Sequence, residues 1–280
     1  VTVATVPVRP WRPRPGALLW AFIRRDWAVA RSYRVVFAMG LVQAAVSLCL
    51  LYFLGRLVGE RLSVERGGLH GGYFAYAVLG TTLLALFTVS LTAVANRLRT
   101  DQTTGTLEVL FTMPQRPALT VLASSSYQIS FSLVTALLTI LLAVAMGMRF
   151  TTSPLSVLVA VGTLAGSLLF FGSLGILFAA FVIVFKRGEG LTALGASALS
   201  LLGGVYFPLS ILPAPLRSVA NAVPFTWAVA TLRAALLADH RSWARLGELW
   251  AAGAVLAVIS LWLFEASLRH ARKRGTLGQY

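Results

Sequence analysis

Asn96–Pro117, NRLRTDQTTGTLEVLFTMPQRP, is the longest markedly polar stretch between two apolar segments in the middle of the chain. Apolar runs flank it: Val35–Val58 and Tyr73–Ala95 before, Ala118–Met148 after. Gln102–Gly105 offers turn residues, and Thr104 or Thr106 can cap a helix through its hydroxyl. Glu108 then falls in the first turn, where the helix dipole favours a negative charge. Pro114 and Pro117 stop the helix, because a residue preceding proline avoids the α region. Leu107, Leu110 and Phe111 share one face. The stretch predicts a short amphipathic helix over about 102–114, lying across the direction of the apolar segments and open to a soluble partner.

Working outward, the apolar runs set the class of protein. Of the 280 residues, 58% are apolar and 12% charged, against roughly 45–50% and 25% in soluble domains. Mean hydropathy is +0.80. A large soluble core is excluded by run length, since several stretches exceed the roughly 18–20 apolar residues that span a bilayer. The net charge of +15 in a soluble protein would suggest nucleic-acid binding. Here the basic residues cluster at the ends of apolar runs, as positive-inside flanks do, so no nucleic-acid partner is expected. The single cysteine, Cys49, lies inside an apolar run and has no internal disulfide partner.

Val1–Pro15 holds four prolines and three arginines and reads as a loose tail rather than a signal peptide. In Gly16–Arg34, Leu18, Leu19, Phe22, Ile23, Val29, Ala30 and Tyr33 fall within an arc of about 140°, with Arg24, Arg25, Arg31 and Arg34 opposite. This predicts an amphipathic helix lying in the membrane interface, with Trp20 and Trp27 at headgroup level. A plain extension of the first span is the alternative. Val35–Val58 is the first span; Gln43 and Ser47 share a face one turn apart and point to protein or a pathway rather than lipid. Tyr73–Ala95 is the second span, whose Thr81, Thr82, Thr88, Ser90 and Thr92 can bond back to their own helix. Ala118–Met148, the third, is long enough for its start, with Gln128, to project into cytoplasm or a cavity.

Gly147–Pro154 reads as a tight turn. Leu155–Phe185 is the fourth span, with Gly162, Gly166, Gly172 and Gly175 spaced for close helix approach. Leu191–Tyr206 is a short, glycine- and serine-rich fifth span, and Gly247–Leu268 is the last, with Glu265 placed to pair with Arg269. Phe207–Asp239 is apolar but broken by Pro208, Pro213, Pro215 and Pro224. Irregular backbone at membrane depth survives only where protein or water satisfies it. Two short helices dipping into the outer leaflet and broken near Ala222–Pro224 fit this segment; an external loop with two surface helices is the alternative. The expected fold is all-α: a tail and interfacial helix over 1–34, a six-span membrane domain over 35–268 and a basic tail over 269–280. Lys and Arg divide 16 to 8 between the two sides, which places both termini and the central helix in the cytoplasm.

Catalytic chemistry is not legible. The only lysines are Lys186 and Lys273, and neither follows a glycine, so no phosphate-binding P-loop exists. His70, His240 and His270 are far apart, and no metal-spaced Cys/His group occurs.

Two segments resemble the membrane permease subunit of type-2 ABC exporters, the class that moves polysaccharides, drugs and lipids. In GTLEVLFTMPQRP, Gly105, Thr106, Leu107, Glu108, Leu110 and Pro114 fall on the pattern between that family's second and third spans. In GGVYFPLSILPAPLRSVANAVPFTWAVATLRAAL, Phe207, Pro208, Leu212, Pro213, Pro224 and Arg233 fall on its C-terminal signature; Ala222 departs from it, where an asparagine is common. The resemblance implies a permease dimer, homomeric or paired with a paralogue, above two ATPase subunits that bind ATP and Mg; this chain needs no cofactor. It makes Gly105–Pro114, with Phe111, the ATPase-coupling segment. It makes Tyr206, Phe207, Pro208, Pro213, Pro224 and Arg233 an extracellular gate. Gln43, Ser47 and Gln128 are candidate pathway residues. The implied function is ATP-driven export of an amphiphilic, lipid-linked or drug-like substrate across a bacterial inner membrane. A membrane-embedded lipid-modifying transferase and an ATP-independent channel or interaction subunit are the competing classes.

Overall fold

The computed structural model describes residues 20, 24, 34–58, 72–103, 117–151, 153–185 and 189–273. It is all helical in these residues. The helices are α1 (Arg34–Val58), α2 (Gly72–Thr103), α3 (Pro117–Ala145), α4 (Pro154–Phe185), α5 (Glu189–Leu202), α6 (Ala214–Ala222), α7 (Pro224–Leu237) and α8 (Trp243–Lys273), with a 3-10 turn at Leu209–Ile211. Five of them, α1, α2, α3, α4 and α8, are long and apolar enough to cross a membrane, and α6 with α7 passes the same test only as a pair bent by 84°. Trp20 and Arg24 are helical and exposed; the rest of the expected interfacial helix lies outside the described residues.

The centre of the bundle is α2 with α4. Their apolar spans are 61% and 56% buried, against 11% for α1 and α3. Lipid offers no hydrophobic drive for helices to associate, so contact rests on close packing, which small residues permit. A Cβ on Gly175 would overlap the carbonyl oxygen of Ser90. Gly162 faces Leu246, Gly166 faces Trp250, and Gly253 faces Leu169 and Phe170. Gly172, expected in the same role, has nothing near it. The paired numbers rise together, so α2, α4 and α8 run parallel. Gly55 packs on Phe74, which sets α1 antiparallel to α2, and the turn at Met146–Gly147 sets α3 antiparallel to α4.

These contacts define two ends. One carries Val58, Gly72, the α3–α4 turn and Asp239; the other carries Arg34, Thr103, Pro117, Phe185 and Lys273. At the first end Thr151 N–H donates to Leu236 O at 2.8 Å, and the Ser156 hydroxyl donates to the Asp239 carboxylate. Gly147 makes the turn with φ +98°, a backbone state open to glycine.

Further departures from the sequence expectations lie in α5, at the end of α2 and along α8. The expected fifth span, Leu191–Tyr206, is a 14-residue helix that stops at Leu202. At about 21 Å it falls short of the roughly 30 Å hydrocarbon core. Gly203 and Gly204 end it, the latter at φ +64°. Gln102 and Thr103, read as turn residues, instead continue α2. The expected Glu265–Arg269 pair does not form, whereas Arg245 and Glu248 on the same helix do pair, at 2.9 Å. Among the threonines, Thr81, Thr88 and Thr92 donate to carbonyls one turn back as expected, whereas Thr82 and Ser90 are buried without a hydrogen-bond partner.

Candidate functional site

The chain between α5 and α8 builds the most irregular part of the bundle. Pro213 and Pro224 stand at the starts of α6 and α7, where a missing N–H costs nothing. Val223 between them is extended, φ −84° and ψ 122°, and the residue before a proline is driven there by sterics. Two locally ordinary helices therefore meet at a sharp bend. Trp227 Nε1–H donates to Asn221 O across the bend at 2.6 Å, and Arg217 Nη2 donates to the carbonyls of Ser210 and Leu212 at 2.7 and 3.0 Å.

The depth of the bend follows from Phe225. Its ring packs on Phe87 and Phe171, with centroids 5.8 and 5.7 Å away, and those two rings meet edge-to-face at 5.3 Å. Phe87 and Phe171 lie near the middle of α2 and α4, so the start of α7 is at mid-depth. Its last turn, at Leu236, is tied to the Asp239 end. Each such aromatic pair contributes about 0.5–1.5 kcal/mol beyond simple burial. A Cβ on Gly203 would run into the Phe225 ring, so that glycine makes room for the cluster.

Arg233, eight residues after Phe225 on α7, holds the other side of the hairpin. It is 6% exposed. Nε and Nη2 donate to Tyr76 O at 3.0 and 2.7 Å, Nη1 to Gly204 O at 2.7 Å, and Nη2 to Val205 O at 2.8 Å. The guanidinium carbon sits 3.4 Å from the centre of the Tyr76 ring, whose hydroxyl also donates to Gly204 O at 3.0 Å. A Cβ on Gly80 would collide with the guanidinium and with Val205 O. All of its hydrogen-bond acceptors here are neutral carbonyls. A buried cation must be satisfied, and the planar five-donor fork of arginine can bridge several carbonyls at once. Arg233 thus ties α7 to the first turns of α2 and to the backbone where α5 ends. Since Val205 sits at the level of Tyr76 and Asp239 lies at the same end, the bent pair enters and leaves at one end of the bundle.

Of the expected gate residues, Arg233 is buried at the centre of this tie and Pro224 is at the bend. Phe207 and Pro208 are half-buried, and Tyr206 and Pro213 are exposed. Tyr76, Gly80, Gly203, Gly204 and Val205 were not singled out by sequence reasoning. The lone glycine within the second span and the Gly-Gly pair ahead of the proline-rich segment were the available signals. Gln43 and Ser47 are exposed on α1 and Gln128 is half-buried on α3. The residues expected to couple to an ATPase, Gly105, Thr106, Leu107, Glu108, Leu110, Phe111 and Pro114, lie outside the described residues.

Mid-depth placement of the bend has a direct consequence for labelling. In a Cys49→Ser background, Ala222→Cys is expected to react with a membrane-impermeant maleimide at least ten-fold more slowly than His240→Cys, measured by mass shift on intact cells or sealed vesicles. Equal rates would place the bend at the surface.

The sequence model of the ABC-2 type transporter family matches residues 17–237. The match takes in every described helix from α1 to α7. No curated protein matches the chain.

Proposed function

Because the chain belongs to the ABC-2 type transporter family, we propose that it is the permease subunit of an ATP-driven exporter. It forms the translocation pathway as a dimer of permeases, and two separate ATPase subunits that bind ATP and Mg drive it. The observation that carries this reading is the family match, which runs through α1 to α7 and so takes in the bent hairpin. A membrane component of this family is not itself an ATPase, so the hydrolysing site belongs to a partner. The membrane is crossed six times, α5 and the bend after it supplying the crossing that the helix alone is too short to make. The Lys273 end, rich in arginine along the full sequence, faces the cytoplasm of a bacterial cell, and the hairpin faces outside as the gate.

Gln43 and Ser47 support a pathway along α1. They are exposed on an otherwise apolar helix, and an amide facing lipid is costly; a second permease copy would cover that face. The spans carry few charges near their middles, which suits an amphiphilic, lipid-linked or drug-like substrate. Gln102–Pro114 is the segment that the ATPase grips, with Leu107, Leu110 and Phe111 as apolar anchors, each contributing about 2 kcal/mol or more.

Leu110→Asp tests this directly. The variant is expected to insert normally, to lose co-purification with the ATPase subunits, and to abolish substrate-stimulated hydrolysis in nanodiscs. Unchanged co-purification and hydrolysis in well-inserted protein would exclude the coupling assignment.

A further inference from the structure

The lipid-facing side of α8 can be followed residue by residue. Val255, Val258 and Trp262 are 60%, 71% and 64% exposed, and they recur at the spacing that keeps one face of a helix. Trp243, at the other end of the same helix, is also exposed. The two tryptophans are separated by roughly 28 Å along the axis, close to the roughly 30 Å hydrocarbon thickness. Tryptophan prefers the two membrane–water boundaries. Trp243 and Trp262 therefore frame the bilayer on α8.

Helix α8 does not stop at Trp262 but continues to Lys273, about 16 Å further. Beyond Trp262 the exposed apolar stripe ends: Phe264 and Ser267 are buried and Arg269 is exposed. Arg269 comes two turns after Trp262 and falls on the same face. Helical side chains lean toward the N-terminus, which for Arg269 is back toward the membrane. Glu265, one turn before it, is the nearest acidic residue along α8 and forms no ion pair with it. Among the described residues Arg269 makes no hydrogen bond. A guanidinium with no ion-pair partner among the described residues is thus held just outside the hydrocarbon boundary, in line with an exposed indole at that boundary.

We propose that Trp262 and Arg269 form a binding site for one anionic phospholipid of the leaflet at the Lys273 end. The indole seats against the glycerol and upper acyl chain, and the basic side receives the phosphate. Arginine forms paired hydrogen bonds to phosphate oxygens, and each basic residue at a membrane surface strengthens anionic-lipid binding by about five-fold.

The test uses the full chain released from nanodiscs of equal phosphatidylglycerol and phosphatidylcholine, with retained lipids counted by native mass spectrometry. The wild type is expected to retain phosphatidylglycerol at least ten-fold over phosphatidylcholine. Arg269→Gln should cut that preference about five-fold and Arg269→Gln/Lys273→Gln further, while Arg241→Gln/Arg245→Gln, equal in charge but at the opposite end of α8, should leave it unchanged. Inorganic phosphate in large excess should not displace the lipid. Equal retention of both lipids by the wild type would overturn the proposal without reference to any variant. So would displacement by free phosphate, which marks a general oxyanion site. Unchanged lipid retention in the double variant, with lost ATPase co-purification, would mark the surface as a protein contact and overturn it equally.

Discussion

Arg233→Met is expected to destabilise the protein by roughly 3 kcal/mol, because it removes the donors from three backbone carbonyls inside the bundle. The three are not equal. Gly204 O keeps the Tyr76 hydroxyl, and Tyr76 O lies within α2, where the helix itself supplies a donor. Val205 O, in the bend after α5, loses the donor seen in the structure. Methionine nearly matches the stem of arginine, so the loss reports hydrogen bonding rather than a cavity. Arg233→Lys should fall between the two, since a compact ammonium cannot bridge Tyr76, Gly204 and Val205 together. Tyr76→Phe should cost only about 1 kcal/mol, one hydrogen bond. The measurement is the fraction of monodisperse protein after a graded heating step in detergent. The same variants report on the hairpin: in Arg233→Met, maleimide labelling at Ala222→Cys should rise toward the rate at His240→Cys. A stable Arg233→Met protein with unchanged labelling would show that α7 is held in place by packing alone.

Gly175→Ala should be comparably damaging, by about 2–4 kcal/mol, for a steric reason. The added methyl would occupy the position of the Ser90 carbonyl oxygen, with Leu91 beside it. Backbone cannot swing aside as a side chain does, so α2 and α4 must separate along their length. Overpacking of a close-packed site typically costs 1–3 kcal/mol, and here the two central long helices bear it. Gly172→Ala, three residues earlier on the same helix, provides the control. Nothing lies near its Cβ position, and alanine is the better helix former by about 1 kcal/mol. That variant should be neutral or slightly more stable under the same heating assay. Equal behaviour of the two variants would contradict the α2–α4 contact.

Local chemistry explains what could be read from the sequence by itself. Long apolar runs require helices, because a helix satisfies its own backbone where no water can. The all-α membrane class and the five long helices follow from that. The break at Ala222–Pro224 was legible for the same kind of reason: proline has no N–H and constrains the residue before it, whatever surrounds it. The 14-residue length of α5 was less legible, since Leu191–Tyr206 carries no charge or proline and only the glycine pair hints at an end. The acceptors of Arg233 were not legible at all. Tyr76 lies 157 positions earlier in the chain, and a carbonyl belongs to every residue, so no residue type marks it as a partner. Gly172 and Gly175 looked alike in the sequence and differ entirely in the fold, because a glycine's role depends on what the opposite helix brings to it. Periodicity, charge and proline act along the chain and are fixed by it; the tie at Arg233 and the contact at Gly175 exist only once distant helices are packed together.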